Sequence, residues 1–142
     1  MISASQIQEL YLSTLSGSAG NSVAGTTGGS LGKFISTTAI VNSTLANLFR
    51  AMLGDENAAS LSLYRCVFFK NASSQTAFAV RVYISAVVAG GADFAIGLDT
   101  TAASDAGSAS AQALAVADEF TAPSGVTFSA PMDLAGALSL GD

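Results

Sequence analysis

Leu61–Val88, LSLYRCVFFKNASSQTAFAVRVYISAVV, is the stretch of the 142-residue chain that decides its fold. It predicts two adjacent β-strands, Leu63–Lys70 and Ala77–Val88, joined by a polar turn over residues 71–75. Side chains of the second strand alternate between two faces, because successive residues of a strand point to opposite sides of a sheet. One face is apolar throughout and consists of Phe78, Val80, Val82, Ile84, Ala86 and Val88. Such alternation is typical of a strand that buries one face.

Further strand patterns lie on both sides of this pair, and they are short. They cover Ile7–Leu15, Lys33–Val41, Asp93–Asp99, residues 114–116 and residues 126–129. Within Asp93–Asp99, the apolar side chains Phe94, Ile96 and Leu98 are expected to face inward. Many short strands separated by turn residues are typical of an all-β protein. We therefore predict an all-β fold, an immunoglobulin-like or jelly-roll antiparallel β-sandwich.

One short helix is predicted near residues 43–53. Asn42 or Ser43 can cap its first turn, and Gly54 supplies a stop. The apolar residues in between recur at helical spacing, and they are Leu45, Leu48, Phe49 and Met52. This face is predicted to pack on the core, and the alternative is a helix that binds a partner.

We predict that residues 1–142 form a single β-sandwich domain, because this length suits one domain with a hydrophobic core. Ser16–Gly32 interrupts the strand pattern with a glycine-, serine- and threonine-rich segment that has almost nothing to bury. This composition predicts a flexible loop or arm. Long loops are often functional, so the arm is expected to reach a neighbouring subunit. The contact residues expected there are Ser16, Gly17, Asn21, Gly28 and Gly29.

Charge is scarce in this chain. Charged residues make up 11% of the sequence, and the formal net charge is −5. Contacts to nucleic-acid phosphates need clustered Lys and Arg, whereas the five basic residues are scattered, so no nucleic-acid partner is expected. The most apolar segment is interrupted by Arg81, and the start lacks the features of a signal peptide, so we expect no membrane partner and synthesis in a cytoplasm. A surface this poor in charge is common where subunits bury it against one another.

Reactive side chains are equally scarce. The chain contains no His and a single Cys. A serine or cysteine nucleophile needs an activating base, so no Ser-His-Asp or Cys-His arrangement can form. Lys33 and Lys70 lie in strand-like settings that carry no Ser-Lys motif. We predict that the protein is not an enzyme and binds no cofactor, and we interpret Cys66 as a small buried hydrophobe.

The acidic residues do not follow a metal-binding pattern. They are Asp55-Glu56, Asp99, Asp105 and Asp118-Glu119, and their spacing matches no calcium loop. We interpret them as solvated loop acids and predict no metal site.

Arg65 and Arg81 stand out because both lie within the two predicted central strands, which are otherwise mostly apolar. A buried charge needs an acidic partner or solvent. One interpretation places both residues on a polar face of the sandwich. The functional interpretation is that they form ion pairs with an adjacent subunit, with an Asp or Glu from a loop as the partner.

Several segments spread over most of the chain carry a resemblance to a known family. They are Ser30–Thr38, Asn47–Phe49, Gly54–Glu56, Tyr64–Asn71, Ala95–Asp99, Ala117–Ser129 and Ala137–Asp142. In these segments the chain is similar to small structural proteins of tailed bacteriophages. The resemblance implies a virion component and supplies no catalytic residue. Similar proteins continue beyond the position of Asp142 into a further strand, so we expect that the sheet closes differently here, that a neighbouring subunit supplies the strand, or that the chain is a truncated form.

The resemblance and the lack of reactive groups together predict a bacteriophage virion structural protein. It would be a non-enzymatic β-sandwich subunit that assembles on the particle, as a head decoration or cement protein or another accessory structural protein. The alternative is a tail, collar or fibre-associated protein with a carbohydrate- or receptor-binding β-sandwich, which an exposed groove containing Tyr11, Tyr64 and Tyr83 would favour. The expected partners are other virion proteins of the capsid or tail and copies of the chain itself. The expected location is the virion, assembled in the host cytoplasm.

Overall fold

The computed structural model describes residues 9–17, 22–41, 44–70, 77–80, 89, 91–99, 101, 109–129 and 136–138. The elements of this part are β1 (Glu9–Thr14), β2 (Phe34–Ala39), α1 (Gly54–Ala58), β3 (Val67–Lys70), β4 (Ala77–Val80), β5 (Ile96–Gly97), β6 (Phe128–Ser129) and β7 (Gly136–Leu138). All strand pairings of the described elements are antiparallel. The described part is therefore mainly β with one short helix, and the sequence predicts this fold class. Within the described ranges, no helix is both long and apolar enough to cross a bilayer.

The largest sheet has the strand order β2-β1-β3, with β1 in the centre. Leu12 pairs with Val67 of β3, and Ser13 pairs with Ile35 of β2. The register between β1 and β2 shifts between Tyr11 and Ser13, which marks an irregularity in the ladder. The expected strands Ile7–Leu15 and Lys33–Val41 thus exist with shorter bounds.

Each strand of the predicted central pair has an antiparallel partner elsewhere in the described part of the chain. β3 pairs with β1, and β4 pairs with β7, in which Ala77 lies opposite Leu138. Alternation indicates which face of a strand is buried, but it does not select the neighbouring strand, so these partners could not be read from the pattern. Residues 81–88 of the expected second strand lie outside the described part of the chain.

The expected inward alternation of Asp93–Asp99 is wrong for two of its three apolar residues. Phe94 and Leu98 are exposed, and only Ile96 is half-buried. β5 spans two residues that pair with β6, with Gly97 opposite Phe128. A strand this short cannot impose the two-faced pattern on its flanks.

The prediction of a helix near residues 43–53 is wrong in position, because the described residues 44–53 are not helical and α1 lies at Gly54–Ala58. Ala46 has a left-handed φ of 53°, which a right-handed helix does not accommodate. Helix α1 instead begins where Asp55 and Glu56 occupy the first turn, and carboxylates there interact favourably with the helix dipole. Gly54, expected as the stop, is the first helical residue.

The core of the described part is small and contains as many polar as apolar side chains. Its buried apolar residues are Leu12, Leu31, Phe34, Ile35, Ala113 and Val116. Its buried polar residues are Ser13, Thr14, Ser30, Ser36, Gln112 and Glu119. Each buried polar group needs a hydrogen-bond partner, so the packing of this core depends on a specific polar network as well as on apolar contact.

Residues 112–116 cover the beginning of β2. The amide groups of Gln112 and Ala113 both donate to the carbonyl of Lys33, at 2.6 and 3.1 Å, and the amide of Val116 donates to Leu31 at 2.8 Å. The side-chain oxygen of Gln112 accepts from the amide of Ile35 at 2.9 Å. The sequence analysis expected this segment to be a short strand, but it makes only an isolated bridge to the sheet. The segment covers part of the sheet edge at the start of β2.

The arm predicted over Ser16–Gly32 is a loop for most of its described length, but its last three residues are buried. Leu31 is a core residue, and the amide of Gly32 donates to the hydroxyl of Ser13 at 2.6 Å. Gly32 has a φ of 90°, and a Cβ atom there would collide with the carbonyl of Leu114. The expectation that this segment has nothing to bury is therefore incorrect for residues 30–32.

Candidate functional site

Four charged side chains from distant parts of the sequence meet beside the main sheet, and we call them the Arg/Glu network: Arg50, Glu56, Arg65 and Glu119. Arg50 contacts both carboxylates, with its Nη2 2.5 Å from Glu56 Oε1 and 2.7 Å from Glu119 Oε1. Arg65 Nη2 lies 2.6 Å from Glu119 Oε2. Glu119 therefore bridges the two guanidinium groups, and charges within the network balance.

Short local interactions position each member. The side chain of Glu56 accepts a hydrogen bond from the amide of Leu53 at 2.7 Å, which satisfies a free amide at the start of α1. Arg65 lies in the extended segment before β3, and its neighbour Tyr64 donates its amide to the carbonyl of Glu119 at 2.7 Å. This backbone contact brings Glu119 beside Arg65.

The network also holds the described part of the glycine-rich loop. Arg65 Nη2 donates to the carbonyl of Thr26 at 3.2 Å, and the amide of Gly28 donates to Glu119 Oε2 at 3.4 Å. Arg65 Nε reaches the carbonyl of Leu48 at 3.3 Å. Two irregular segments, the glycine-rich loop and the segment that contains Leu48, are thus held by one ionic centre.

Burial sets the electrostatics of this centre. The Arg65 side chain is 0% exposed and that of Glu119 is 4% exposed. Burial by itself would raise the pKa of Glu119, but hydrogen bonds from Arg50, Arg65 and the Gly28 amide outweigh it and keep the pKa below its usual range. The hydrogen bond from Arg50 is the main reason that the pKa of Glu56 is lowered to about 2, and the same contacts raise the pKa of Arg50.

The four side chains are paired with one another, and the lowered pKa values keep Glu56 and Glu119 ionised at neutral pH. A carboxylate held in this way by guanidinium groups is a poor proton acceptor, and general acid-base chemistry needs a pKa near the working pH. The arrangement is suited to joining loops.

Aromatic rings surround the network. Arg50 lies 5.7 Å from the centre of the Phe120 ring, and Arg65 lies 5.9 Å from that of Phe49. Phe49 packs edge-on against Phe94, with ring centres 6.5 Å apart. These contacts are of the cation-π and T-shaped kinds, which stabilise a folded chain modestly.

The tyrosines do not form the shared groove that would favour carbohydrate binding within the described part. Tyr11 is half-buried under the ammonium group of Lys70, at 5.4 Å. Tyr64 is half-buried against Phe128, with ring centres 5.4 Å apart. Tyr83 lies outside the described residues.

Cys66 is half-buried at the edge of a serine cluster. The Ser30 hydroxyl donates to the carbonyl of Cys66 at 2.5 Å and accepts from the amide of Ser13 at 2.9 Å. Burial raises the pKa of the Cys66 thiol to about 11, and a hydrogen bond with Ser13 opposes this shift only in part. A thiol with so high a pKa is mostly protonated and therefore weakly nucleophilic at neutral pH, and Cys66 is half-buried where the sequence analysis expected it to be buried.

The predicted contact residues lie in different settings. Ser16 and Gly28 are exposed, while Gly17 and Gly29 are half-buried. Arg65 is fully engaged within its own chain, with a loop glutamate as its partner. The loop acid that the sequence analysis sought in a neighbouring subunit is thus found in the same chain. Asn21 and Arg81 lie outside the described residues.

The sequence analysis missed Arg50, Glu56 and Glu119. The interpretation of the acids as solvated is wrong for Glu56 and Glu119, whose side chains are only 12% and 4% exposed. The useful signal was the position of Glu56 in a possible first helical turn. Glu119 offered no local signal, because its partners are 69 and 54 residues away in the sequence.

Two other described acids, Asp99 and Asp118, accept backbone hydrogen bonds in irregular segments. Asp99 accepts hydrogen bonds from the amides of Thr101 and Leu114, at 2.8 and 2.6 Å. Asp118 accepts from the amide of Phe120 at 2.8 Å. Within the described part, no three His, Cys, Asp or Glu residues are grouped as metal ligands, and Asp105 lies outside it. Comparison with known proteins gave no matching family model, no matching curated protein and no matching solved structure.

Proposed function

We propose that this protein is a non-enzymatic structural subunit of a tailed-bacteriophage virion, with a β-sandwich architecture, that assembles on the particle through surface contacts. Head decoration or cementing is the proposed role. The antiparallel, mainly-β fold is consistent with such a subunit, and the segmental resemblance of the sequence suggests the particle.

The observation that carries the proposal is the balance between buried and exposed apolar side chains. Six hydrophobic residues of the described part are buried, whereas thirteen large ones are exposed. The exposed residues are Leu15, Val23, Val41, Leu45, Met52, Leu53, Leu61, Val67, Phe94, Leu98, Leu114, Phe120 and Phe128. Isolated exposed apolar residues are ordinary, but so many beside so small a core favour a chain that completes its burial against neighbours.

The use of charge supports the same role. Arg50 and Arg65 are two of the five basic residues in the chain, and both form ion pairs inside the Arg/Glu network. Charged residues are depleted from the centres of protein interfaces, because pairing them there rarely repays the loss of their hydration. In the described part, Arg50 and Arg65 are paired within their own chain and contribute little charge to a contact surface.

Assembly on a particle does not require strong pairwise binding. When one subunit is held at two or more contacts, each additional contact forms at a high effective concentration. Many weak apolar contacts can therefore fix a subunit firmly on a lattice while the free chain stays weakly associated. This is the proposed mechanism.

Gradient sedimentation of the phage that encodes this chain tests the proposal. The chain should migrate with intact particles and remain bound after a high-salt wash, because apolar contacts are not weakened by screening. Separation of heads from tails before the gradient distinguishes decoration of the head from a position in the tail. Recovery of the chain only among free proteins at the top of the gradient would refute a virion role.

A further inference from the structure

Three segments beside the main sheet contribute almost nothing to its apolar core. They are residues 22–29, 44–61 and 117–121, and we call them the loop layer. All residues of the loop layer are described, and Glu119 is the single one among them that is buried. The buried apolar residues of the described part lie instead in β1, in and just before β2, and in residues 112–116, which cover β2. A part of a fold with so little apolar burial is typical of one that can open by itself.

The loop layer is joined to the sheet through Arg65, which lies just before β3. Arg65 Nη2 donates to the carbonyl of Thr26 at 3.2 Å and to Glu119 Oε2 at 2.6 Å. Arg65 Nε donates to the carbonyl of Leu48 at 3.3 Å. These three acceptors come from the three segments of the loop layer, one from each. A single guanidinium group, which is 0% exposed, therefore holds the whole layer.

Glu119 joins the same segments to one another. It accepts hydrogen bonds from Arg50 in residues 44–61, at 2.7 Å, and from the amide of Gly28 in residues 22–29, at 3.4 Å. Because Glu119 and Arg65 each contact the other two segments, one segment cannot leave without breaking contacts of the rest. The three segments are therefore expected to open together.

Neutral contacts also tie the loop layer to the rest of the described part. The amide of Ser22 donates to the hydroxyl of Thr38 at 3.5 Å. The rings of Phe49 and Phe94 pack edge-on, with centres 6.5 Å apart. A hydrogen bond at the limit of its range and one ring contact stabilise a fold only modestly. Attachment of the layer therefore depends mainly on the ionic contacts.

The ionisable groups around Glu119 in the described part either belong to the Arg/Glu network or are engaged elsewhere. Those of the network are Arg50, Arg65 and, on the far side of Arg50, Glu56. The carboxylates of Asp55 and Asp118 accept hydrogen bonds within their own segments. The ring of Tyr64 packs against that of Phe128. Glu119 is thus the carboxylate on which both arginines depend.

Protonation of Glu119 would leave Arg65 buried without a counter-charge, which is strongly unfavourable. The charge regains solvation if the loop layer opens and admits water to Arg65. Burial raises the pKa of Glu119, but the hydrogen bonds from Arg50 and Arg65 outweigh it and keep the pKa below its usual range. The stability that Glu119 gives the closed layer is therefore complete above the ordinary carboxyl pKa of 4.5 and is lost as the pH falls below it.

We propose that the Arg/Glu network is an acid-sensitive latch, in which protonation of Glu119 releases the loop layer as one unit while the sheet β2-β1-β3 stays paired. The sheet stays folded because its buried apolar residues and the hydrogen bonds of Ser13 to Ser30 and Gly32 lie outside the layer. Opening frees residues 22–29, which belong to the glycine-rich segment expected to reach a neighbouring subunit. The inference goes beyond the proposed virion role and does not depend on it.

Nuclear magnetic resonance of the full ¹⁵N-labelled chain, from about pH 7 to about pH 2, tests this inference. In each segment of the layer one amide donates to a backbone carbonyl rather than to a carboxylate, and these reporters are Gly29, Ala59 and Thr121. The reporters of the sheet and its cover are Ile35, Ile40 and Ala113. The layer resonances should move to the positions of an unfolded chain at one common pH below 4.5, at which the sheet resonances keep their folded positions.

Two matched variants assign the effect to the network. Glu119→Gln removes the charge on which Arg65 depends, so its layer should open at a pH at least about one unit higher than in the wild-type chain. Asp118→Asn removes the same charge from the adjacent residue, which lies outside the network, and its layer should open at the wild-type pH. If Glu119→Gln does not fold, Glu56→Gln takes its place, because it keeps the contact between Arg65 and Glu119 and should raise the opening pH by a smaller amount.

Four results would overturn the inference. They are a layer that stays closed to the lowest pH, layer and sheet resonances that unfold at the same pH, three segments that open at different pH values, and equal shifts in Glu119→Gln and Asp118→Asn. Each of these results leaves the binding of the chain to particles unaffected, so failure of the latch is distinguishable from failure of the proposed virion role.

Discussion

Glu119→Gln tests whether the Arg/Glu network stabilises the irregular segments that it joins. The substitution keeps the shape of the side chain and removes its charge. Glu119 accepts hydrogen bonds from Arg50 Nε at 3.0 Å, Arg50 Nη2 at 2.7 Å and Arg65 Nη2 at 2.6 Å. A glutamine at this position retains one acceptor oxygen and directs an amide donor at a guanidinium group.

The two arginines respond differently to this loss. Arg50 keeps the carboxylate of Glu56, whereas Arg65 is left buried with only backbone carbonyls around it. Removal of one partner of a buried ion pair typically costs about 3–5 kcal/mol. We expect a loss of about 3 kcal/mol in the free energy of unfolding, the lower end, because Arg65 keeps its neutral acceptors.

Urea unfolding followed by circular dichroism measures this loss. With an m-value of about 1–3 kcal/mol/M, the midpoint should fall by about 1–3 M. Asp118→Asn is the matched control, because it removes the same charge from the adjacent residue, which is exposed and outside the network. A midpoint for Glu119→Gln that equals that of Asp118→Asn would refute the reasoning.

A second substitution isolates the ion pair itself. Arg65→Met removes the charge that Glu119→Gln leaves unpaired, so the double variant should be more stable than the sum of the two single losses predicts. Strict additivity of the losses would mean that Arg65 and Glu119 do not interact in solution.

Three further predictions concern pH, the thiol and the loop. Glu56 and Glu119 have lowered pKa values in the folded state, so the stability that they contribute is complete above the ordinary carboxyl pKa of 4.5 and is lost as the pH falls toward about 2. The melting temperature measured against pH should show this loss. In Glu119→Gln the melting temperature should depend less on pH over the same range. Cys66 should react slowly with a thiol reagent in the folded protein at pH 8, because burial raises the pKa of its thiol to about 11, and it should react completely in urea. Fast labelling of the folded protein would contradict this burial. Gly32→Ala should lower the melting temperature more than Gly28→Ala does. Both residues have positive φ, but only at Gly32 would a Cβ atom collide with backbone atoms. Equal losses in melting temperature would show that the space at Gly32 is open.

The parts of the fold that follow from short-range pattern were predictable. Strand β1 appears where Leu10 and Leu12 recur at a spacing of two, because that period is a property of the extended chain itself, and β2 lies within the predicted segment Lys33–Val41. The apolar spacing of Leu45, Leu48 and Met52 suggested a helix, and it failed because spacing does not exclude a loop. The left-handed backbone of Ala46 and the approach of Gly25 to it arise from contacts between distant segments.

The ionic centre could not be predicted for a related reason. Arg65 was correctly singled out as a charge that needs an acidic loop partner, and no short-range rule identified Glu119, 54 residues further along. The burial of Ser30 and Gly32 was missed because small residues leave no hydrophobic signal, yet their size lets the backbone approach the sheet closely.

The central claim is that this chain works as a building block through its surface. Its most direct test is the number of copies per purified phage particle, measured by quantitative mass spectrometry against the major capsid protein. The account predicts many copies in a constant ratio from one preparation to another, as a lattice position requires. Absence from washed particles, or a trace amount that varies between preparations, would contradict it.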